Sequence, residues 1–162
     1  DNAHSNVGFT VKHMMVTNVH GKFTSYDAKV EFDDATKTFK KLVANIDTNS
    51  IDTGIEKRDN HLRSDDFFAV EKFPKMTFEM TSYKADGDDG KMTGNLTIRG
   101  ITKPVVLEVE DISVLGDKVG FSVEGKINRQ DFDLKWNKAI ELGGVAVSDE
   151  VKIKVDIEAK KQ

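Results

Sequence analysis

The chain has 162 residues, 38% hydrophobic and 32% charged, with a net charge of −4. That length suits one domain with a core or a barrel, and the acidic balance lacks the basic footprint of a nucleic-acid binder. With no cysteine in the chain, disulfides, thiolate metal sites and a cysteine nucleophile are excluded.

No apolar run approaches the length of a membrane span. The chain opens DNAHSNVGF, without a basic segment followed by an apolar one. Any signal peptide is therefore expected to have been removed or never to have existed.

Alternation with period two, the strand signature, runs through most of the sequence. Val7, Phe9 and Val11 share one parity, and His13 continues it. Val19, Gly21 and Phe23 follow, then Val30 and Phe32 on one face before the turn DDATK. Leu42, Ala44 and Ile46 form the next stripe. From Thr53 to Phe73 the alternation is lost. Asp52 or Thr53 can cap a first helical turn there and Ser64 a second, and Pro74 stops it. A short helical insertion is expected around residues 53–73.

Strands then resume with Met76, Phe78 and Met80, and ADGDDG makes a polar hairpin tip. Met92, Gly94, Leu96 and Ile98 lead to a turn at Gly100. Val105, Leu107 and Val109 run back; Val119, Phe121, Val123 and Ile127 follow, with Gly125 between the last two. Phe132, Leu134 and Trp136 share a face, and Gly143 and Gly144 fall in a turn. In the last strand Val151, Ile153, Val155 and Ile157 alternate with Lys152, Lys154, Asp156 and Glu158. Roughly eight or more strands with short polar turns predict an antiparallel barrel or sandwich. No repeat or linker divides residues 1–162.

The inward candidates are Phe9, Val11, Phe23, Phe32, Ile46, Phe78, Met80, Leu96, Ile98, Phe121, Val123 and Trp136, with His13 on the same parity as the first strand. Leu62, Phe67 and Phe68 of the insertion are expected to face the same interior. Phenylalanine and methionine suit a surface that accepts a flexible apolar guest, and about eight closed strands leave room that side chains fill or one ligand occupies. Gly94 and Gly125 remove volume on the inward parity. They hint at room, or at bends needed for closure. On periodicity alone both readings stand: a packed interior, or a lined cavity.

Polar candidates for a ligand's head group are His13, Arg58 and Arg63, arginine because its fork of donors suits a polar or anionic group. The plainer reading of His13 is a hydrogen-bonded rim or core histidine. No HxH or HExxH spacing points to zinc, and no GxSxG elbow points to a nucleophile. Glycine-rich phosphate loops are lacking too. No catalytic residue, metal or cofactor is therefore expected. Arg99 is expected to point outward into solvent.

Six motifs occur in order: HSNVGFTVKHMMVTNVHGKF, NSIDTGIEKRDNHLRSDDFF, KFPKMTFEM, GNLTIRGITKPVVLEV, INRQDFDL and VSDEVKIKVDIEA. Together they resemble the YceI family, from His4 to Ala159. The resemblance implies an all-β, extended antiparallel eight-stranded, lipocalin-like barrel. It also implies binding of a long-chain lipid, a polyisoprenoid or a fatty-acid-like amide, in an elongated cavity. A periplasmic location and a homodimer belong to the same implication, with the membrane only as source or destination of the lipid. The expected role is a non-enzymatic carrier or store. The alternatives are an enzyme acting on an isoprenoid or lipid through His13, Asp59 and His61, and a stress or adhesion module with an incidental cavity. Asp133 and Leu134 stand where relatives often have glycine after the phenylalanine.

Overall fold

The computed structural model describes residues 5–13, 17–137 and 147–160. His4 and the turn at Gly143 and Gly144 lie outside them. The strands are β1 (Asn6–His13), β2 (Thr17–Phe23), β3 (Tyr26–Asp33), β4 (Thr38–Asp47), β5 (Ile51–Asp52), β6 (Lys75–Asp86), β7 (Asp89–Ile98), β8 (Ile101–Leu115), β9 (Lys118–Asn128) and β10 (Val147–Lys160), with helix α1 (Glu56–Arg63) after β5. Among the described residues they form one antiparallel sheet in the order β3-β4-β6-β7-β8-β9-β10-β1-β2-β5.

The sheet curls until its ends meet. β2 runs straight into β3 through Thr24 and Ser25, so the two are one bent stave, paired with β1 below the bend and with β4 above it. At the bend Thr24 N donates to Ser50 O at 3.2 Å and Asp47 N donates to Ser25 O at 2.9 Å. β5 continues β4 and pairs with β2 through Phe23 and Ile51. Counted as staves, the ten strands of the described residues are the eight that the resemblance implies, within the eight or more that the sequence pattern predicts.

Short hairpins set the register. Arg99 and Gly100 connect Ile98 to Ile101 with φ of 52° and 74°, the doubly positive pair that a tight two-residue hairpin requires. At the β3–β4 turn, Asp33 Oδ1 accepts from Ala35 N and Thr36 N at 2.9 and 3.3 Å. Those two donors hold its carboxyl below the usual range.

Helix α1 differs from expectation at its ends. Ile55 takes the N-cap position without a side-chain cap, and Ser64 closes the C-terminus. Thr53 does not cap because its hydroxyl is engaged elsewhere: it donates to Asp59 Oδ1 at 2.5 Å. Asp133 ends the turn Arg129–Phe132 with φ of 61°, a left-handed conformation that glycine takes freely and aspartate tolerates.

Among the described residues the register shifts at four places, between β1 and β10 at Val11–His13 and at bulges in β4, β6 and β8. In β4 Lys40 has no partner, since Glu31 faces Lys41 but Phe32 faces Phe39. Thr81 is skipped in β6. In β8 two residues, Asp111 and Ile112, span one residue of β9. One extra residue reverses the facing of all that follow. Phe39, Tyr83 and Ile112 are thereby turned inward.

Gly94 and Gly125 do not make room for a guest. A Cβ on Gly94 would lie 2.4 Å from the Phe78 ring, and one on Gly125 would lie 2.4 Å from Leu107. Each glycine accommodates a large inward side chain of the neighbouring strand.

Candidate ligand cavity

A cavity of about 330 Å³ lies inside the curled sheet, with an almost wholly apolar wall. Strict alternation builds it. On β10 the inward row Val151, Ile153, Val155 and Ile157 faces the bore while Lys152 and Lys154 are exposed. Cross-strand pairing sets Val155 beside Val123 and Ile157 beside Phe121. The same logic holds Phe78 beside Leu96.

Of the residues singled out in the sequence, Phe9, Val11, His13, Phe23, Ile46, Leu62, Phe67, Phe68, Phe78, Leu96, Ile98, Phe121, Val123 and Trp136 form part of the wall. Phe32 and Met80 do not. Phe32 stacks on Phe39, ring centroids 4.8 Å apart, beyond the end of the cavity. Met80 sits next to the bulge at Thr81, where the inward row is interrupted. Val7, Leu42, Met92, Val105, Leu107 and the β10 row were missed as lining. For β10 the signal was present, since a clean apolar stripe against charges already marks one buried face.

The helical insertion forms one end of the bore, where the polar groups collect. Arg58 lines it. Its Nε donates to Thr53 Oγ1 and its Nη2 to Thr53 O, both at 2.7 Å. The buried Asp59 carboxylate fixes Thr53 in turn, accepting from Thr53 N at 2.9 Å. Arg58 is thus held from one side, and its Nη1 has no partner among the described residues. His13 is exposed at the rim. His61 meets Asp66 Oδ2 through Nε2 at 2.8 Å. Its ring packs edge-on against Trp136 at 4.8 Å and against Phe67 at 5.1 Å. Asp59 and His61 therefore serve separate partners and do not form an acid–base pair.

Arg63 does not face the cavity. Its Nε donates to Asn49 O at 3.0 Å, Nη1 to Asn60 Oδ1 at 2.9 Å and Nη2 to Ile51 O at 3.1 Å. These bonds hold the insertion to β5, which removes Arg63 from the head-group candidates. Arg99 is also not the solvated residue expected. Its Nη1 donates to Asp65 O and to Phe67 O, both at 2.6 Å, so it fastens the insertion to the β7–β8 turn.

Arg129 was not singled out in the sequence, yet it is 3% exposed and lines the bore. Its guanidinium donates to Leu134 O, to Trp136 O at 2.9 Å, to Ser148 O at 2.9 Å and to Val147 O at 3.2 Å. Burial pushes its pKa below the usual arginine value, though a guanidinium stays charged at any physiological pH. Burial likewise raises the Tyr26 hydroxyl, partly offset by a hydrogen bond with Ser5. Among the described residues there is no group of three or more His, Asp or Glu placed to hold a metal. No helix there is long and apolar enough to cross a membrane.

Residues 1–159 match the model of the YceI-like domain. The chain belongs to the YceI family. Protein YceI of Salmonella newport (strain SL254) is 38% identical over 164 residues, covering 98% of this chain and 83% of the relative. A crystal structure of the Campylobacter jejuni YCEI protein is 42% identical, covers 100% of this chain and 96% of that one, and superposes with a TM-score of 0.82. A domain from Saccharophagus degradans, described as polyisoprenoid-binding and implicated in plant cell wall breakdown, is 17% identical. It covers 98% of this chain and 94% of that one with a TM-score of 0.66, and shows the shared fold.

Proposed function

We propose that this chain, acting as a single barrel unit, binds the tail of a long-chain lipid in its bore and carries or stores it without chemistry. The observation that carries this reading is the apolar cavity of about 330 Å³ inside a family barrel. Such a wall offers a hydrocarbon the free energy of leaving water and offers a polar substrate little. A polyisoprenoid or a fatty-acid-like chain fits it, and the shared fold of the polyisoprenoid-binding domain is consistent with the former.

A methylene is about the size of a water molecule, roughly 30 Å³, so the cavity takes about eleven of them. At ~0.8 kcal/mol each, burial contributes about 9 kcal/mol gross. Ordering the chain and losing its translation offset much of that. Arg58 and His13 are the groups we assign to the head, because they stand at the polar end. An acid–base role is not favoured, since Asp59 and His61 are tied to different partners. We place the protein in the periplasm, with the membrane as source or destination of its lipid, and pairing of two copies belongs to the same reading.

Solvent extraction of the purified protein followed by mass spectrometry tests this. A long-chain lipid in the extract is the expected result. A clean extract, together with no uptake of a fluorescent long-chain probe, would overturn the reading.

A further inference from the structure

We propose that an aromatic layer built around Phe39 and Phe121 is a stop that sets the length of tail the bore accepts. The proposal rests on the lipid-binding reading above and deepens it.

Phe39 is 2% exposed and Phe121 4%. Their ring centroids are 4.8 Å apart at 69°. Phe39 also meets Tyr83 at 5.0 Å and Phe32 at 4.8 Å. Phe121 forms part of the cavity wall while Phe39 stands behind it.

Beyond the layer lies a second cavity of about 140 Å³. The same inward rows serve both. On β3, Tyr26 and Ala28 line the larger cavity, then Val30 and Phe32 line the smaller. On β9, Val123 and Phe121 give way to Val119, and on β10 Ile157 gives way to Ala159. Side chains of one parity line one face of a sheet, so the two cavities are stretches of a single bore.

What divides them is an addition to the alternating pattern. The bulges at Lys40, Thr81 and Asp111 turn Phe39, Tyr83 and Ile112 into the bore. Gly90 leaves the space that the Tyr83 ring occupies, since a Cβ there would lie 2.1 Å from the Tyr83 hydroxyl oxygen. Bulges that re-aim side chains are built features of a sheet. The smaller cavity is rimmed by Asp34, Asp117, Lys118 and Lys160. A tail end pushed past the layer would reach charge and water. The layer keeps the apolar stretch sealed at that end, and a tail longer than the larger cavity must project at the polar mouth.

The test is a binding series of saturated fatty acids, from roughly eight to twenty carbons, against wild type and three variants. Affinity should rise about fourfold per methylene until the tail meets the stop, then level off. Phe39→Ala removes the ring that backs Phe121, and the break should move to tails longer by about four or more carbons. Ala44→Leu narrows the middle of the bore, and the break should move to shorter tails. Phe39→Leu should shift it in the same direction as Phe39→Ala but less, and carries the test if the alanine variant fails to fold. A break that stays put in the folded Phe39 variants, whatever Ala44→Leu does, or a wild-type curve with no break, overturns the stop while leaving lipid binding intact. Failure of wild type to bind any of the acids, with nothing found in the solvent extract, overturns the lipid reading and the stop together.

Discussion

The two ends of the bore use the same kinds of apolar residue and reach opposite results. In the middle and at the mouth, Phe78, Leu96, Val123 and Val155 face one another across open space. At the far end Phe32, Phe39, Tyr83 and Phe121 touch. Hydrophobicity does not distinguish them, because both stretches are phenylalanine-rich. The difference is strand register. Along the middle of the bore, where pairing keeps its register, each strand sends in every second side chain and the curl of eight staves leaves a gap. Where β4, β6 and β8 each carry an extra residue, the facing reverses, large side chains point inward in place of polar ones, and the gap fills. A hollow and a core can therefore share one sheet and one composition.

The largest expected effect follows from that contrast. Phe39→Ala should cost about 3–5 kcal/mol, because a ring packed on three others leaves a void. Leu96→Ala in the hollow stretch should cost about 2 kcal/mol, the low end for a leucine, because part of its surface already faces empty space. Urea denaturation of both variants measures the gap. Equal losses would mean that the two stretches are packed alike.

Next is Arg129→Met. The buried guanidinium satisfies four backbone carbonyls from the loop at Leu134 and Trp136 and from the start of β10. Removing it strands those acceptors, and the loss should be about 3 kcal/mol. Trp136 should also leave its place against His61 and Phe67, which its fluorescence would register as a red shift. An unshifted spectrum would show that the mouth does not depend on this residue.

The smallest effects come from two surface carboxylates outside the bore, and they have opposite signs. The Asp33 pKa is lowered by hydrogen bonds from Thr36 N and Ala35 N. Its stabilisation is present above the ordinary aspartate value and is lost as pH falls through the lowered one. Glu110 is raised, chiefly by Glu124. It disfavours the fold above the ordinary glutamate value, and lowering the pH through its raised value relieves that. Asp33→Ala should therefore lower Tm at pH 7 but not in strong acid. Glu110→Gln should raise Tm slightly at pH 7, and added salt should erase the gain. Thermal melts across pH and salt read both.

Much of the fold was legible because a period-two stripe needs only one sequence to be seen. β10 is the clearest case, with four apolar residues against charges. The helical insertion was legible as a loss of that period, though its caps were not, because Thr53 is drawn to Asp59 and Arg58 by contacts that sequence does not show. Most of the wall follows from parity. The stop does not: the bulge at Lys40 hides Phe39 from any alternating pattern, and parity takes Phe32 and Met80 inward without showing that they fall outside the wall of the larger cavity. The arginines were the hardest residues to read. Arg63, Arg99 and Arg129 all act by donating to backbone carbonyls, and a carbonyl carries no residue identity.

The central claim is a bore that is open between Phe78 and Val123 and shut at Phe39. A crystal of the delipidated protein under xenon pressure tests it most directly, because xenon enters dry apolar voids. Xenon bound among Phe78, Leu96 and Val123, with none between Phe39 and Tyr83, is the result expected. An empty central stretch, or xenon lodged within the aromatic layer, would contradict it.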